Sequence, residues 1–239
     1  MTSDILELLR TNPYPGRGII IGRSGDGERS IVVYFIMGRS ENSRNRVFER
    51  TADGIRTAAF DHRKLIDPSL VIYRPLRRFG KYIIVSNGDQ TDTIYDFISR
   101  GRDYRDALKT REFEPDSPNY TPRISGLVGG DGSYSLSILK SINGDPARCT
   151  RYFFEYSSAA PGFGHFISTY ATDGSPLPSF EGEPIPVNMD SEEGLEKFTE
   201  KIWDALDHNN RVSVYACETS ISTGESSDYI INKNKQIRY

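Results

Sequence analysis

Residues 18–37 read GIIIGRSGDGERSIVVYFIM, and this stretch decides the fold class. Its two runs, 18–23 and 30–37, are dense in Ile, Val and aromatic residues, which favour β-strands. The SGDG segment at 24–27 between them supplies the small and polar residues that tight turns need. The stretch therefore predicts a β-hairpin near the start of the chain.

The remaining pattern places further strands and a few helices around this hairpin. Strands are predicted at 57–60, 70–74, 81–85, 123–128, 134–139, 150–156, 165–170 and 211–217. Helical spacing of apolar residues predicts helices at 91–100 and 103–110, an amphipathic helix at 5–9, and a helix carrying Leu195, Phe198, Ile202 and Leu206 that begins at a capping box of Asp190 and Glu193. Strands and helices do not alternate regularly, so the fold class is α+β with mainly antiparallel sheet.

Length and composition favour one domain over residues 1–239, with the proline-rich segment 175–186 as an extended surface loop. The net charge of −3 gives no bulk reason to bind nucleic acid or an anionic membrane. No apolar run is long enough to span a bilayer, and we expect a cytoplasmic protein. Whether it forms a homo-oligomer stays open.

Cysteine and histidine usage predicts neither a disulfide framework nor a metal site. Cys149 and Cys217 lie in apolar, strand-like surroundings, where reduced structural thiols are expected. His62, His165 and His208 are isolated from one another, with no second ligand at helical or hairpin spacing. We therefore expect no metal and no cofactor.

The first half of the chain is basic through arginine. Of 22 arginines, 18 lie at or before Arg123, and the arginine fork suits phosphate and carboxylate oxygens. Three arginines fall in the segment 38–46 after the second strand of the hairpin. This segment predicts either an anion site or a solvated loop.

A second polar cluster, residues 86–93, joins a predicted strand to a predicted helix. Asn87, Thr91 and Asp92 could bind a ribose or a carboxamide there, and Thr91 or Asp92 could instead only cap the helix. The third cluster is Thr121-Pro122-Arg123, in which the proline fixes the arginine beside the start of a strand.

These clusters together resemble the ordered motifs of the archaeal-type IMP cyclohydrolase family. The similar segments are GR at 16–17, IGRS at 21–24, RS at 39–40, NR at 45–46, SNGDQTDTI at 86–94, TPRI at 121–124 and ISTY at 167–170. SNG followed by TDTI, in combination with TPRI, is the most specific part of the match.

The resemblance implies a four-layer αββα sandwich of the N-terminal-nucleophile hydrolase type, without a self-processing nucleophile. It also implies the closure of 5-formamidoimidazole-4-carboxamide ribonucleotide to inosine monophosphate with loss of water, in purine biosynthesis. Such a chain binds a small nucleotide and needs no cofactor. Two alternatives stay open: another amide hydrolase on the same fold, and a purine-nucleotide-binding protein without activity.

The same resemblance assigns roles to individual residues. The candidate substrate-binding residues are Arg23, Arg39, Arg44, Arg46, Asn87 and Thr91. The candidate catalytic residues are Asp92 as general base, Arg123 to orient the formyl or carboxamide group, and Tyr73 and Tyr170 for proton transfer or stacking. Tyr34 is a weaker candidate, because core packing explains it equally well.

Overall fold

The computed structural model describes residues 2–65, 68, 71–189 and 193–234. The helices in these ranges are α1 (Ile5–Thr11), α2 (Glu41–Arg44), α3 (Gln90–Ser99), α4 (Tyr104–Lys109) and α5 (Leu195–Ala205), with a 3₁₀ turn at His62–Lys64. The strands are β1 (Ser3–Asp4), β2 (Arg17–Arg23), β3 (Arg29–Met37), β4 (Arg46–Thr51), β5 (Gly54–Ala59), β6 (Leu76–Phe79), β7 (Tyr82–Ser86), β8 (Arg123–Val128), β9 (Tyr134–Ile142), β10 (Asp145–Tyr156), β11 (Phe163–Ser168), β12 (Ile185–Asn188), β13 (Arg211–Ser220) and β14 (Ser226–Asn232).

The described strands form two seven-stranded sheets. The first has the order β1-β12-β11-β2-β3-β13-β14 and the second β10-β9-β8-β7-β6-β5-β4. All neighbouring strands are antiparallel except β1 and β12. The predicted hairpin is confirmed as β2 and β3, with Ile20 opposite Val33. The α+β class with mainly antiparallel sheet is confirmed as well.

The two sheets stack face to face and are covered by helices on both outer sides. Alternate residues of each strand point inward, so Ile19 and Ile21 of the first sheet pack against Val85 and Ile124 of the second. The outer face of the first sheet packs with α1 and α5, and the outer face of the second with α3 and α4. The order of layers is therefore helix, sheet, sheet, helix.

One pair of sheet edges is joined by side-chain bonds to the backbone. The Phe48 amide on β4 donates to Asn232 Oδ1 on β14 over 2.8 Å. Asn232 Nδ2 donates back to the Phe48 carbonyl over 3.0 Å. Arg50 also pairs with Asp228 across the same junction. These contacts close the sandwich along one side.

The strand predicted at 70–74 is wrong for its described part, because residues 71–74 form turn and coil. Pro75 has no amide hydrogen to give to a sheet ladder, and the strand begins after it as β6. The Tyr73 backbone instead pairs with Thr57: the Thr57 amide donates to the Tyr73 carbonyl over 2.9 Å, and the Tyr73 amide donates to Thr57 Oγ1 over 2.9 Å.

Other differences concern short or polar strands and the start of one helix. Strands β1, β4, β12 and β14 are not predicted. β1 and β12 have four residues or fewer and pair with each other across the length of the chain, and β4 and β14 are polar at four of their six and seven positions. Asp190 of the predicted capping box lies outside the described residues, and α5 begins at Leu195 after Gly194 with no side-chain cap bond.

The segment 175–186, predicted as an extended surface loop, forms no helix or regular strand before β12 begins at Ile185. Leu177 and Phe180 within it are buried, so part of the segment packs into the molecule.

Among the described residues, no helix has the length and apolar character needed to cross a membrane. Cys149 and Cys217 are both free thiols, on β10 and β13 respectively.

Candidate active site

Polar side chains from both sheets meet at one end of the layer between them. At this end β2 begins with Arg17, β4 begins with Arg46 and β8 begins with Arg123, while β7 and β11 end. Apolar residues fill the middle of the layer. Polar side chains are therefore buried where these strands start and end, and the first residues of β2, β4 and β8 place three arginines there.

The centre of this cluster is an ion pair between Arg17 and Glu114. Arg17 Nη2 lies 3.5 Å from Glu114 Oε2, and the two side chains are 13% and 3% exposed. Burial raises the pKa of the Glu114 carboxyl, against the opposing effect of the positive charges on Arg17 and Arg123. Glu114 is thus a carboxylate whose pKa is raised towards neutral pH, as a general base needs.

Arg17 is held as a cation by its neighbours. Burial alone would lower the pKa of Arg17, but the Glu114 carboxylate, with smaller contributions from the neighbouring tyrosines, holds this pKa well above the ordinary value. Its Nε is buried and has no hydrogen-bond partner among the described residues. A buried donor without a partner costs roughly 1–3 kcal/mol, so an acceptor on a bound molecule would be stabilised here.

Three tyrosines border the ion pair. The hydroxyl of Tyr34 on β3 lies 2.8 Å from the hydroxyl of Tyr73 in the loop before β6. The Tyr170 hydroxyl lies 2.5 Å from Thr121 Oγ1, and Thr121 Oγ1 donates to Asp116. Burial raises the pKa of Tyr170 to about 12 although Arg17 opposes the shift. Burial also raises the pKa of Tyr34, so the Tyr34 and Tyr170 phenols stay protonated at neutral pH and can donate hydrogen bonds.

Arg46 is a second buried guanidinium in the cluster and is only 1% exposed. Its Nε donates to the Ser43 carbonyl over 2.8 Å, and its Nη2 donates to the Met37 carbonyl over 3.3 Å. Nη1 is buried with no partner among the described residues. Burial lowers the pKa of Arg46. Tyr73 partly offsets this lowering, and the positive charge of Arg17 adds to it. A bound anion close to Arg46 would offset the free-energy cost of burying this guanidinium.

Arg123 is held in place by the turn before α3. Its Nη1 donates to Asp89 Oδ1 over 2.7 Å and to Gln90 Oε1 over 2.6 Å. Gln90 Nε2 in turn donates to Asn87 Oδ1 over 3.0 Å. Arg111 donates to the same Asp89 carboxylate over 2.6 Å. The Nε and Nη2 groups of Arg123 donate to no other residue in the described part of the chain.

The structure brings together several of the residues that the sequence singles out. Arg46, Arg123, Tyr73, Tyr170 and Tyr34 all lie in or beside the cluster. Asn87 lies next to them, and its side chain crosslinks β7 to β8: Nδ2 donates to the Pro122 carbonyl over 2.9 Å, and Oδ1 accepts from the Ile124 amide over 2.8 Å.

Asp92 and Thr91 on α3 do not point into the cluster. Asp92 is half exposed and pairs with Arg77 of β6 over 2.9 Å. Thr91 Oγ1 lies within the turn, 2.5 Å from Ser86 Oγ and 3.2 Å from the Gly88 carbonyl. One helical turn thus sends Gln90 inward and Asp92 outward, because successive helical residues point about 100° apart.

The other predicted arginines also lie away from the centre. Arg23 ends β2, six residues and about 20 Å from Arg17, and donates to the Gly27 carbonyl. Arg44 donates to the Gly38 carbonyl over 2.8 Å. Arg39 is at the rim, where it pairs with Asp173 over 2.6 Å and its Cζ lies 5.1 Å from the centre of the Tyr14 ring.

Arg17 and Glu114 are absent from the candidates drawn from the sequence. A signal for Arg17 exists: it shares its face of β2 with Ile19 and Ile21, which marks an arginine directed into the core. Glu114 lies in the irregular segment between α4 and β8, where no periodicity indicates burial. The described ranges contain no group of three or more His, Cys, Asp or Glu side chains placed to hold a metal ion.

Comparison with known proteins places the chain in a family. The model of the IMP cyclohydrolase-like protein family matches residues 14–225, so the chain belongs to this family. The IMP cyclohydrolase of Halobacterium salinarum is 30% identical over 132 residues, which cover 54% of this chain and 63% of that protein. The alignment thus spans a little under two thirds of that relative.

Two further archaeal relatives extend the comparison. The IMP cyclohydrolase of Haloquadratum walsbyi is 28% identical over 227 residues, which cover 91% of this chain and 96% of that protein. The IMP cyclohydrolase of Methanothrix thermoacetophila is 36% identical over 127 residues, covering 49% and 58% respectively.

Proposed function

We propose that this chain is an IMP cyclohydrolase, which closes 5-formamidoimidazole-4-carboxamide ribonucleotide to inosine monophosphate with loss of water. The observation that carries the proposal is the buried Arg17–Glu114 pair, bordered by tyrosine hydroxyls, in a member of the IMP cyclohydrolase-like family. The pair combines a base of raised pKa with a cation whose Nε is unpartnered.

The reaction needs a nucleophile, an activated formyl group and a route for protons. The carboxamide nitrogen attacks the formyl carbon, and one new C–N bond forms as the formyl oxygen becomes a hydroxyl. This hydroxyl then leaves as water while the former formamide nitrogen loses its proton. Both reacting groups belong to one molecule, so an enzyme contributes chiefly the reactive rotamer, charge stabilisation and proton transfer.

Each of these contributions has a residue in the cluster. Glu114 accepts the carboxamide proton, because burial raises the pKa of its carboxyl above the ordinary value and makes it a stronger base. Arg17 Nε donates to the formyl oxygen as charge develops there. Glu114 passes the carboxamide proton to the formyl oxygen, which becomes the hydroxyl. Tyr73, hydrogen-bonded to Tyr34, supplies a second proton to the leaving hydroxyl and takes up the proton that the former formamide nitrogen loses. Arg123 orients the carboxamide through the Nε and Nη2 groups that the turn before α3 leaves unused.

The substrate also carries a dianionic phosphate. Arg46 is suited to it, because its Nη1 is buried without a partner and its positive charge is unfavourable until an anion binds. Arg39 at the rim can add a second guanidinium. In this proposal the hydrogen bonds of Asn87 and Thr91 fix the conformation of the turn before α3. Asp92 takes no part in proton transfer.

The fold and setting belong to the same proposal. The αββα layers support an N-terminal-nucleophile hydrolase type of fold in one domain. The partner is then a small purine-pathway nucleotide in the cytoplasm, and the reaction requires no cofactor.

The test is incubation of the purified chain with the formylated ribonucleotide. We expect ultraviolet absorbance to rise as the purine forms, and the product mass to equal that of the substrate less one water. Glu114→Gln should lower kcat by about 100-fold or more, within the range of general acid–base catalysis. The wild-type kcat should fall as the pH is lowered through the raised pKa of Glu114, since only the carboxylate form accepts a proton.

The matched control is Glu112→Gln, since Glu112 lies two residues away with its side chain 67% exposed and should leave kcat unchanged. Tight binding of the substrate without turnover in the wild type would instead indicate a nucleotide-binding protein. Normal turnover in Glu114→Gln would remove this residue as the base.

A further inference from the structure

Strand β10 forms an open edge of the second sheet. Residues 149–156 pair in regular register with β9, from Cys149 opposite Ser141 to Tyr156 opposite Tyr134. On its other side β10 pairs with no strand of the described chain. No residue of β10 is fully buried, whereas β9 is mostly buried. A row of backbone donors and acceptors is therefore left for another strand.

The sequence of this edge favours pairing over protection. The stretch 149–156 reads CTRYFFEY, in which four of eight residues are aromatic, and Tyr152 is 46% exposed. Native edges are usually protected by proline, bulges or charged side chains, lysine above all. Here Pro146 and the register irregularity both come before Cys149, so residues 149–156 contain no proline, bulge or lysine, and their charged side chains are Arg151 and Glu155. The opposite edge of the same sheet, β4, is tied to β14.

The charges on β10 are arranged for pairing with a second copy of itself. A two-fold axis perpendicular to the sheet keeps every side chain on the same face of the sheet. When this axis relates two identical antiparallel strands, one residue at the centre therefore lies directly opposite the same residue of the second copy. When Phe153 is that residue, Arg151 lies opposite Glu155 of the second copy, and Glu155 lies opposite Arg151. Tyr152 then lies opposite Phe154.

Neighbouring registers lose this complementarity. Centring on Arg151 or on Glu155 places like charges face to face. Centring on Tyr152 places Arg151 opposite Phe153, and centring on Phe154 places Arg151 opposite Ser157. Of these five registers, only the Phe153-centred one pairs both charges with their opposites, and it does so twice.

Contacts within the chain hold these two charged side chains in place. Arg151 Nε donates to the Arg111 carbonyl over 3.1 Å, and Glu155 Oε1 accepts from Arg105 Nε over 3.0 Å. The Glu155 side chain is still 54% exposed, and that of Arg151 is 26% exposed. Both charges are thus fixed on the helix-covered face of the sheet while part of each remains open.

We propose that two copies of this chain associate through β10, antiparallel about Phe153, so that their second sheets join into one continuous sheet. The interface pairs Arg151 with Glu155 twice and packs Tyr152 against Phe154. Tyr152 also lines a cavity of about 730 Å³ beside Lys140 and Pro178, so the second copy borders that cavity.

The test is sedimentation equilibrium of the full chain over a range of concentrations. We expect a dimer for the wild type. Arg151→Glu or Glu155→Arg alone should raise the dimer Kd by about tenfold, because both symmetry-related pairs become like-charged. The double variant Arg151→Glu/Glu155→Arg should restore the wild-type Kd. Within one strand these residues are about 13 Å apart, so the rescue can only come from pairing between copies.

The matched control is Arg148→Glu, which reverses a charge on the same strand outside the predicted pairs and should leave the Kd unchanged. Circular dichroism checks that each variant is folded. Hydrogen exchange gives a second measurement: amides of β10 should lose protection on dilution of the wild type. A wild type that stays monomeric at about 100 µM, where a Kd of ordinary strength gives mostly dimer, would overturn the proposal, as would a double variant as weak as the single ones.

Discussion

At the scale of single residues, the candidate active site is defined by charged side chains that are buried. Among the described residues, Arg46, Glu114 and Arg123 are the charged side chains with less than a tenth of their surface exposed. Two of the three are cations, and Arg17 adds a third guanidinium beside the one carboxylate. The surplus of positive charge at the strand starts would be offset by an anionic ligand such as the proposed nucleotide.

Arg46→Met tests this balance with little change in side-chain volume. We expect binding of the nucleotide to weaken by about 10- to 100-fold, since a charge-assisted hydrogen bond is worth roughly 1.5–3 kcal/mol, while binding of the nucleoside changes little. Calorimetric titration with both ligands measures the difference.

Arg44→Met serves as the control, because Arg44 bonds to Gly38 and Asn210 outside the cluster and its loss should affect neither ligand. Equal losses for nucleotide and nucleoside in Arg46→Met would show that this arginine does not bind the phosphate.

Helix α3 is the element that positions Arg123. Its first turn carries Gln90 towards the site and Asp92 towards β6, so that one helix serves both the active site and the outer face of the sheet. Asp89, just before the helix, joins Arg111 to Arg123. The two arginines hold the pKa of Asp89 below its ordinary value despite its partial burial, and the carboxylate stays charged at neutral pH.

Asp89→Ala should release Arg123 and lower kcat by roughly tenfold, because small misplacements of orienting groups cost rate. Asp92→Ala on the same helix should leave kcat unchanged, since Asp92 contacts Arg77 on the outer face. Steady-state kinetics of both variants beside their melting curves measures this. A fall in kcat for Asp92→Ala alone would return that residue to the role of base.

At the scale of the whole molecule, the two sheets are held together by the core between them and by a junction along one side. The hydrophobic core between them spans strands from both sheets, and Asn232 fixes β14 to β4 through the Phe48 backbone. Asn232 Oδ1 also accepts from Ser213 Oγ over 2.7 Å. This junction holds β4, and therefore Arg46, at its place opposite the first sheet.

Asn232→Ala should lower the free energy of unfolding by about 2 kcal/mol, because it leaves the Phe48 amide and carbonyl without their partners. Urea denaturation measures this loss. Asn234→Ala provides the comparison: its single bond to the Arg44 carbonyl is 3.2 Å long, and we expect a change within about 0.5 kcal/mol. Equal stability of the two variants would show that the junction contributes little.

The sequence by itself determines the fold class, most of the strands, the paired helices and the family. The fold class and elements follow from apolar patterns of period 2 and period 3.6 and from turn residues such as those at 24–27. The family follows from short motifs that occur in the family's order along the chain. The resemblance to the family also singles out Arg46, Arg123, Tyr73 and Tyr170, which lie in or beside the cluster in the structure.

Only the tertiary structure decides which polar side chains share the site. Arg17 and Glu114 are nearly a hundred residues apart, and they meet because β2 and the segment before β8 lie on facing sheets. Asp92 and Gln90 belong to one motif, yet the helical rotation of about 100° per residue separates them. A local pattern specifies which way a side chain points within its own element, whereas the stacking of the two sheets specifies what it faces.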